Sequence, residues 1–436
     1  MLENFKNKKI LILGFGREGV DTFLFLRKLF PKKTIGIADR NEKIASSAIR
    51  RRGGINWHLG KNYLKSLKNY DIIIKTPGIP IHLPDVESAF KQKKITSQTE
   101  IFFQNCPGMI IGITGTKGKS TTTALIYNIL KQTGKKAHLV GNIGEPVLKY
   151  LNKSTKNDYF VCELSSHQLY NIKKSPHIAV LLNIYPEHLD YCKTFTEYAN
   201  SKANITKYQN KKDYLIFDSK NKTTLRLASL AQGKKIPINI KNISKIIPLK
   251  EIPLLGDHNL KNISAAIEVA KILKIPKVKI TLGIKTFKPL EHRLENVGTF
   301  KGITFYNDAL STIPEATISA IEALGKNVQT IMLGGFDRNI KFENLAKKVL
   351  KSKIKNVILF PTTGEKIWRE INKWNRGQLN PFFVDNMKDA VKIAYENTEK
   401  GKICLLSTAS TSFSIFRDYK EKGDLFKKFV KQFAKK

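Results

Sequence analysis

Apolar residues recur along this chain in two patterns. Some form short continuous runs, as in buried strands; others stand three or four positions apart, as on the inner face of a helix. Lys9 to Leu13 is the first strand-like run, and Val20, Phe23, Leu24 and Leu29 give the next segment a helical apolar face. Thr34 to Ala38 and Tyr70 to Ile74 read as further strands, and Ile95-Thr96-Ser97 as the start of another. Cys106-Pro107-Gly108 interrupts the pattern as a linker would. A strand at Met109 to Ile113 then leads into a helix at Ser120 to Lys131, with Leu125, Ile126, Ile129 and Leu130 at core spacing. Strands follow within Ala137 to Gly144 and Asp158 to Ser166, and at His177 to Ile184. From Val297 a new alternation begins, with strands at Ile303 to Tyr306, Thr330 to Leu333, Asn356 to Phe360 and Ile403 to Leu406.

The most informative junction lies between Ile113 and the helix after it. Gly115-Thr116-Lys117-Gly118-Lys119-Ser120-Thr121 is a Gly-rich turn between a strand and a helix. Such a turn lets backbone N–H groups converge on phosphate oxygens, and the helix N-terminus adds partial positive charge. Lys119 is placed to reach β- and γ-phosphates, and the Ser120 hydroxyl to bind Mg2+. The strict P-loop spacing needs a glycine where this chain has Ile113, so the loop is a variant with glycines at 112, 115 and 118.

A second Gly-rich turn, Gly14-Phe15-Gly16-Arg17-Glu18-Gly19, follows the first strand, and Asp39-Arg40-Asn41 ends the second. An acid about 20 residues after GxGxxG is the pattern of a dinucleotide site. The motif alone serves NAD or any ligand with a diphosphate and a ribose, uridine included. Lys75-Thr76-Pro77-Gly78-Ile79-Pro80 lies at the carboxyl edge of the same sheet, where such folds bind ligands. Further on, Gly141-Asn142-Ile143-Gly144 brackets an asparagine, and Glu163 stands at a strand end. That is the position of a Mg2+-holding acid in P-loop enzymes, or of a solvated strand-end glutamate. His188 ends another strand and suits a metal, water or substrate, or a structural role. The class these patterns predict is α/β in three domains. Residues 1–107 form a Rossmann-like domain, 108–296 a central P-loop ATPase-like parallel-sheet domain, and 297–436 a C-terminal Rossmann-like α/β domain.

Composition narrows the partners. The 436 residues carry 76 Lys and Arg against 36 Asp and Glu, a net +40. The lysines are spread through every segment, so the excess reads as a coat that favours anionic small molecules, not as a nucleic-acid stripe. The four cysteines, Cys106, Cys162, Cys192 and Cys404, form no CxxC pair, which suggests free thiols in a reducing compartment. A polar start at Met1 to Lys9 and the lack of a long apolar run point to a cytoplasmic chain without a membrane span.

Taken in order, Gly115 to Thr121, Gly141 to Gly144, Glu163-Leu164-Ser165-Ser166, Asn183 through Asp190, Gly256-Asp257-His258-Asn259-Leu260-Lys261-Asn262 and Glu291-His292-Arg293-Leu294-Glu295 resemble the motifs of the Mur ligases. That family builds the peptide stem of bacterial peptidoglycan. The likeness covers essentially the whole chain, and the GxGxxG domain places it nearest the glutamate-adding branch. The resemblance implies that ATP phosphorylates the carboxylate of UDP-N-acetylmuramoyl-L-alanine and that glutamate then attacks the acyl phosphate. It implies Lys119, His188 and Lys202 as catalytic residues. Gly115, Thr116, Lys117, Gly118, Lys119, Ser120, Thr121, Asn259, Asn262, Arg293 and Asp308 would bind ATP. Two Mg2+ ions would be held by Ser120 (or Thr121), Glu163, His188 and a carbamylated Lys202; from the residues alone, Lys202 reads as a helix-surface lysine. Phe15, Gly16, Arg17, Asp39, Arg40 and Gly78 would face UDP. Asn142 and Gln168 would touch the muramoyl-alanine part, and Thr312, Arg338 (or Lys341), Ser412 and Tyr419 the glutamate. The resemblance further implies that the three domains bind UDP-substrate, ATP and glutamate in turn, in a monomer.

The third segment departs from the family pattern Asp-Ser-Lys-Ala-Thr-Asn: here Asp308-Ala309-Leu310-Ser311-Thr312-Ile313 replaces the lysine with Leu310 and the asparagine with Ile313. Thr312-Ile313-Pro314-Glu315-Ala316 resembles a branch that adds L-glutamate, which leaves the stereochemistry open. Competing readings are a folylpolyglutamate synthase, disfavoured by the N-terminal GxGxxG domain, a dehydrogenase built on the first βαβ unit, and a basic nucleic-acid-binding ATPase.

Overall fold

The computed structural model describes residues 2–44, 53–187, 191–338 and 340–435. They fall into two compact units, Met1–Glu251 with Lys261–Phe287, and Ile252–Leu260 with Lys288–Lys436.

The first unit holds two parallel sheets. In one, β1 (Ile10–Leu13), β2 (Ile35–Asp39), β3 (Ile55–Leu59), β4 (Ile72–Lys75) and β5 (Ile95–Thr96) lie in the order β3-β2-β1-β4-β5. β1 is buried on both faces, as its unbroken Ile-Leu-Ile-Leu run requires in a sheet covered by helices. The helix Arg17–Leu29 covers one face with Phe23, Phe25 and Leu26. Leu24, expected in that face, is 40% exposed. Asp21 takes an inward place because Gln98 Nε2 and the Leu148 amide donate to its Oδ2, and Leu24 turns outward. β5 stops at Thr96, since the Ser97 side chain accepts from Glu100 N and caps the helix Gln98–Asn105.

In the second sheet, β6 (Met109–Thr114), β7 (Ala137–Gly141), β8 (Tyr159–Glu163), β9 (Ile178–Leu181), β10 (Tyr214–Phe217) and β11 (Lys234–Pro237) run in the order β11-β10-β9-β6-β8-β7. β6 is central, and Gly115 to Gly118 leave its carboxyl end for the helix Lys119–Lys131. β9 is shorter than the apolar run that contains it, because Leu182 N closes on Thr114 O and Asn183 turns into the loop.

The second unit carries one mixed sheet. β12 (Glu295–Phe300), β13 (Ile303–Asn307), β14 (Val328–Gly334), β15 (Asn356–Phe360), β16 (Asn380–Phe383) and β17 (Ile403–Leu406) lie in the order β12-β13-β17-β14-β15-β16. Only β12 is antiparallel, joined to β13 by the turn at Lys301 and Gly302. Polar groups gather where β13 and β17 end, at Asp308 and at Ser407 to Ser412, the edge at which such sheets bind ligands. No helix among the described residues is long and apolar enough to cross a membrane.

Candidate active site

The loop after β6 is held in shape from several sides. Gly118 adopts a left-handed conformation, φ +86°, and a Cβ there would sit 2.3 Å from Asn262 Oδ1. Glycine is thus required both for the turn and for the approach of the helix Asp257–Ile272. Asn183, which follows β9, pins the loop: its Oδ1 accepts from Lys117 N at 2.8 Å and its Nδ2 donates to Lys117 O at 3.0 Å. Thr116 is buried, and its hydroxyl meets Tyr198 OH at 3.1 Å and accepts from Tyr185 N at 2.9 Å. Lys119 Nζ lies over the loop, 3.0 Å from Gly115 O and 2.9 Å from Thr116 O. Lys117 pairs with Glu187 at 2.8 Å. Ser120 is half-buried and Thr121 buried in the first turn of the helix.

Glu163 ends β8 beside Ile113 of β6 and is 1% exposed. Its Oε1 accepts from Asn142 Nδ2 at 2.6 Å, while Oε2 is buried without a hydrogen-bond partner. Lys202 was expected on a helix surface. It is instead 1% exposed, and its Nζ donates to Gly115 O at 3.0 Å. The helix Phe195–Lys207 turns Lys202 toward the end of β6 together with Tyr198, Ser201 and Ile205. Burial, and then the neighbouring Lys119 charge, push the Lys202 amine well below the usual lysine range. No group of three or more His, Cys, Asp or Glu is arranged to hold a metal among the described residues. A buried carboxylate with an orphaned oxygen next to a Lys-Ser helix start nevertheless has the donor chemistry a hard divalent cation needs. His188 lies outside the described residues.

In the first sheet, Phe15 faces inward. Its ring is 4% exposed and packs edge-on against Phe23 and Trp57, so only its backbone is available to a diphosphate. Phe15 N donates to Asp39 Oδ2 at 2.7 Å, and Asn41 N to Asp39 Oδ1 at 2.8 Å. Gly16, Arg40 and Gly78 are exposed around this turn. Arg17 reaches the loop after β7, donating to Gly144 O at 3.0 Å and Gly141 O at 3.1 Å. Gln168 is buried and donates to Glu18 Oε1 at 2.7 Å. The Gly16 and Asn142 turns thus stand on one connected hydrogen-bonded surface within this unit.

In the second unit Asp308 follows β13, 3% exposed. Its Oδ2 accepts from Ser407 Oγ at 2.7 Å and its Oδ1 from Leu294 N at 3.1 Å. Burial pushes its carboxyl up to about 6, against the pull of the Ser311 and Ser407 hydroxyls, the Leu294 amide and Arg293. Burial and then Arg293 push His258 down, so Arg293, His258 and Asp308 share one neighbourhood. Asn259 is buried and donates to Leu255 O at 2.7 Å, whereas Asn262 belongs to the other unit, below Gly118. Ser412 Oγ and Thr411 Oγ1 are buried without hydrogen-bond partners. Thr312 is half-buried and Arg338 exposed. Tyr419 opens the last helix, its ring 5.9 Å from that of His292.

Several residues in these sites escaped the sequence reading. Tyr198 was assigned no role, and Glu187 none beyond its place in the stretch Asn183 to Asp190. Lys75, within the strand-end stretch Lys75 to Pro80 expected at a ligand edge, is buried, bonds Ile79 O at 2.8 Å and Tyr191 OH at 3.0 Å, and is pushed down to about 8 by burial.

These features define an α/β protein with a P-loop at the carboxyl edge of a central parallel sheet and further strand-end sites on two other sheets. Residues 113–270 match the Mur ligase middle domain, and residues 292–410 the Mur ligase glutamate ligase domain. A UDP-N-acetylmuramoylalanine--D-glutamate ligase of Clostridium tetani is 34% identical, covering 98% of this chain and 97% of the relative. One of the same name from Acetivibrio thermocellus is 33% identical, over 98% and 96%. The fold also matches the crystal structure of UDP-N-acetylmuramate-alanine ligase MurC from Thermotoga maritima, with a TM-score of 0.62 and 17% identity over 98% of this chain and 100% of that one. The chain belongs to the Mur ligase family, whose members are ATP-dependent, ADP-forming amino-acid ligases.

Proposed function

We propose that this chain joins D-glutamate to the carboxylate of UDP-N-acetylmuramoyl-L-alanine, as a cytoplasmic monomer, in peptidoglycan precursor synthesis. A carboxylate is a poor electrophile, so the γ-phosphoryl group of ATP is first transferred to its oxygen, leaving ADP. The glutamate amine then attacks the carbonyl carbon, a tetrahedral intermediate forms, and phosphate leaves as the amide closes. The observation that carries this reading is the meeting of two lysines at the end of β6. Lys119 and Lys202 both bond Gly115 O at 3.0 Å, with the buried Glu163 on the adjoining strand.

Each residue has a part. Lys119 and the helix N-terminus neutralise charge that builds on the transferring phosphoryl group. Lys202, whose amine burial pushes well below the usual lysine range, presents a nitrogen that adds CO2: the N–C bond forms as one C=O π bond opens, a proton passes to water, and a carbamate carboxylate results. Ser120, Glu163 and that carbamate would hold Mg2+, with His188 assigned to the same set by family resemblance. Bound there, Mg2+ supplies further charge neutralisation on the phosphates. The turn at Gly16, with Arg17, Asp39, Arg40 and Gly78, receives UDP, and Asn142 and Gln168 the muramoyl-alanine part. Asn259, Asn262, Arg293 and Asp308 serve ATP. Thr312, Arg338, Ser412 and Tyr419 serve glutamate, and the orphaned Ser412 hydroxyl supports that assignment. The sheets β1–β5, β6–β11 and β12–β17 accordingly form the UDP-substrate, ATP and glutamate domains.

Phosphate release from ATP, Mg2+ and UDP-N-acetylmuramoyl-L-alanine tests the proposal. Turnover is expected only on adding D-glutamate. The stretch Thr312-Ile313-Pro314-Glu315-Ala316 after Asp308, which resembles a branch that adds L-glutamate, favours a second reading, in which L-glutamate is the better substrate. Turnover with L-glutamate alone establishes that one, and turnover with neither refutes both.

A further inference from the structure

The last helix, Tyr419–Ala434, is studded with lysines, and most of them face solvent. Lys422 does not. It is 1% exposed, and its Nζ donates to Thr408 Oγ1 at 2.6 Å. The neighbouring residue explains how a lysine is brought so deep. A Cβ at Gly423 would lie 2.2 Å from His292 Nδ1 and 3.0 Å from Asn307 Nδ2. The helix backbone therefore rests directly on the end of β13, and Lys422 enters beside it. Isolated buried ammonium groups are costly unless an anion or strong acceptors compensate.

The anion is Asp308. The groups that face it are the Ser311 and Ser407 hydroxyls, the Leu294 amide, and two cations, Arg293 before β12 and Lys422 on the last helix. Thr408 follows Ser407, whose hydroxyl holds Asp308, and Thr408 Oγ1 also bonds Ser410 O at 3.1 Å. One ammonium thus braces the loop after β17, and that loop's Ser407 hydroxyl holds the carboxylate after β13. Leu310 and Ile313, two and five positions after Asp308, bring no charge to this edge.

We propose that Lys422 is a positioning residue for the ligation step: its buried ammonium orders the Thr408 loop and, through the adjoining Ser407 hydroxyl, holds the Asp308 carboxylate in place at the strand ends. This rests on the ligase reading above, in which Asp308 and the loop after β17 serve ATP and glutamate. Burial lowers the Lys422 amine to about 7 and raises the Asp308 carboxyl to about 6. Asp308 thus supports the Lys422 charge, while the Asp308 charge is itself favoured by the Ser311 and Ser407 hydroxyls, the Leu294 amide and Arg293.

The test compares wild type with Lys422→Met and Lys422→Arg, following ligation against pH and the Asp308 carboxyl by NMR of protein with 13C-labelled aspartate. K422M is expected to lose kcat on the order of 100-fold, with KM for the UDP-substrate unchanged. The acidic limb of its pH profile and the Asp308 midpoint should both move up by about one unit. K422R should restore both. If K422M does not fold, Lys422→Gln, which keeps a donor for Thr408 and drops only the charge, carries the same comparison. Activity within twofold of wild type overturns the proposal, as does lost activity with an unmoved acidic limb and Asp308 midpoint. A wild-type enzyme silent with every amino acid refutes the ligase reading instead. The Asp308 midpoint, read without turnover, then still decides whether the two charges are coupled.

Discussion

Asn142 and Glu163 share a hydrogen bond of 2.6 Å, from the amide Nδ2 to Oε1, and it satisfies only half of the carboxylate. The other oxygen is buried and orphaned. An orphaned buried acceptor is tolerated where it serves a ligand. Glu163→Gln should therefore leave the fold intact, with a melting temperature equal to or above that of wild type, because a buried charge is removed. Its turnover should fall on the order of 100-fold, and the Mg2+ concentration for half-maximal phosphate release should rise. Phosphate release against Mg2+ concentration checks this, and an unchanged Mg2+ requirement would remove Glu163 from the metal set.

Lys119→Ala removes the ammonium that spans Gly115 O and Thr116 O. Gly115 and Thr116 are both buried, but Gly115 O keeps its bond from Lys202 Nζ, so the loss of stability should be modest, about 1 kcal/mol. Phosphoryl transfer should fall by about 1,000-fold or more. Activity near wild type, in a protein whose far-UV circular dichroism is unchanged, would take the loop out of the mechanism.

Gly118→Ala should act on the fold. Its φ of +86° disfavours any side chain, and the new Cβ would meet Asn262 Oδ1. Asn262 is buried and cannot simply swing away, so the loop or the helix Asp257–Ile272 has to shift. A loss of about 1–3 kcal/mol is expected in urea unfolding, together with weaker ATP binding by calorimetry. A variant as stable as wild type would show that the loop relaxes without strain.

Asp308 gives a pH dependence with a definite sign. Its folded carboxyl is raised to about 6 from an ordinary 3.8, so between these values the folded state binds more protons than the unfolded one. Stability from this group is fully present below the unfolded value and is lost as pH rises through about 6. Asp308→Asn removes that loss and should be more stable than wild type at pH 7, by about 1 kcal/mol after allowing for the Lys422 charge left behind. The gap should close below pH 4. Thermal unfolding at several pH values reads it, and a gap that persists at low pH would mean the effect is not protonation.

Local chemistry made part of this architecture legible in the sequence. Glycine at 115 and 118, followed by Lys-Ser, announces a phosphate loop because the turn, the strand before it and the helix after it are all set by neighbours in the chain. Strands buried on both faces, such as β1 and β14, show as unbroken apolar runs. β11, Lys-Lys-Ile-Pro at a sheet edge, shows nothing, since an exposed edge strand needs no apolar pattern. Lys202 and Lys422 were invisible for another reason. A lysine on a helix reads as solvent-facing, and only the packing of that helix against a distant strand end turns it inward. Leu24 failed in the opposite direction: periodicity put it in the core, but the partners of Asp21 rotated the face.

The bonds of Arg17 have a consequence beyond their own strength. Arg17 holds the carbonyls of Gly141 and Gly144, the turn between them carries Asn142, and Asn142 holds Glu163. The aim of an acid on the second sheet is therefore set, three links away, by a guanidinium on the first. Errors propagate along such a linkage as they do along a jointed arm, so a substitution at position 17 would misdirect a carboxylate that it never touches.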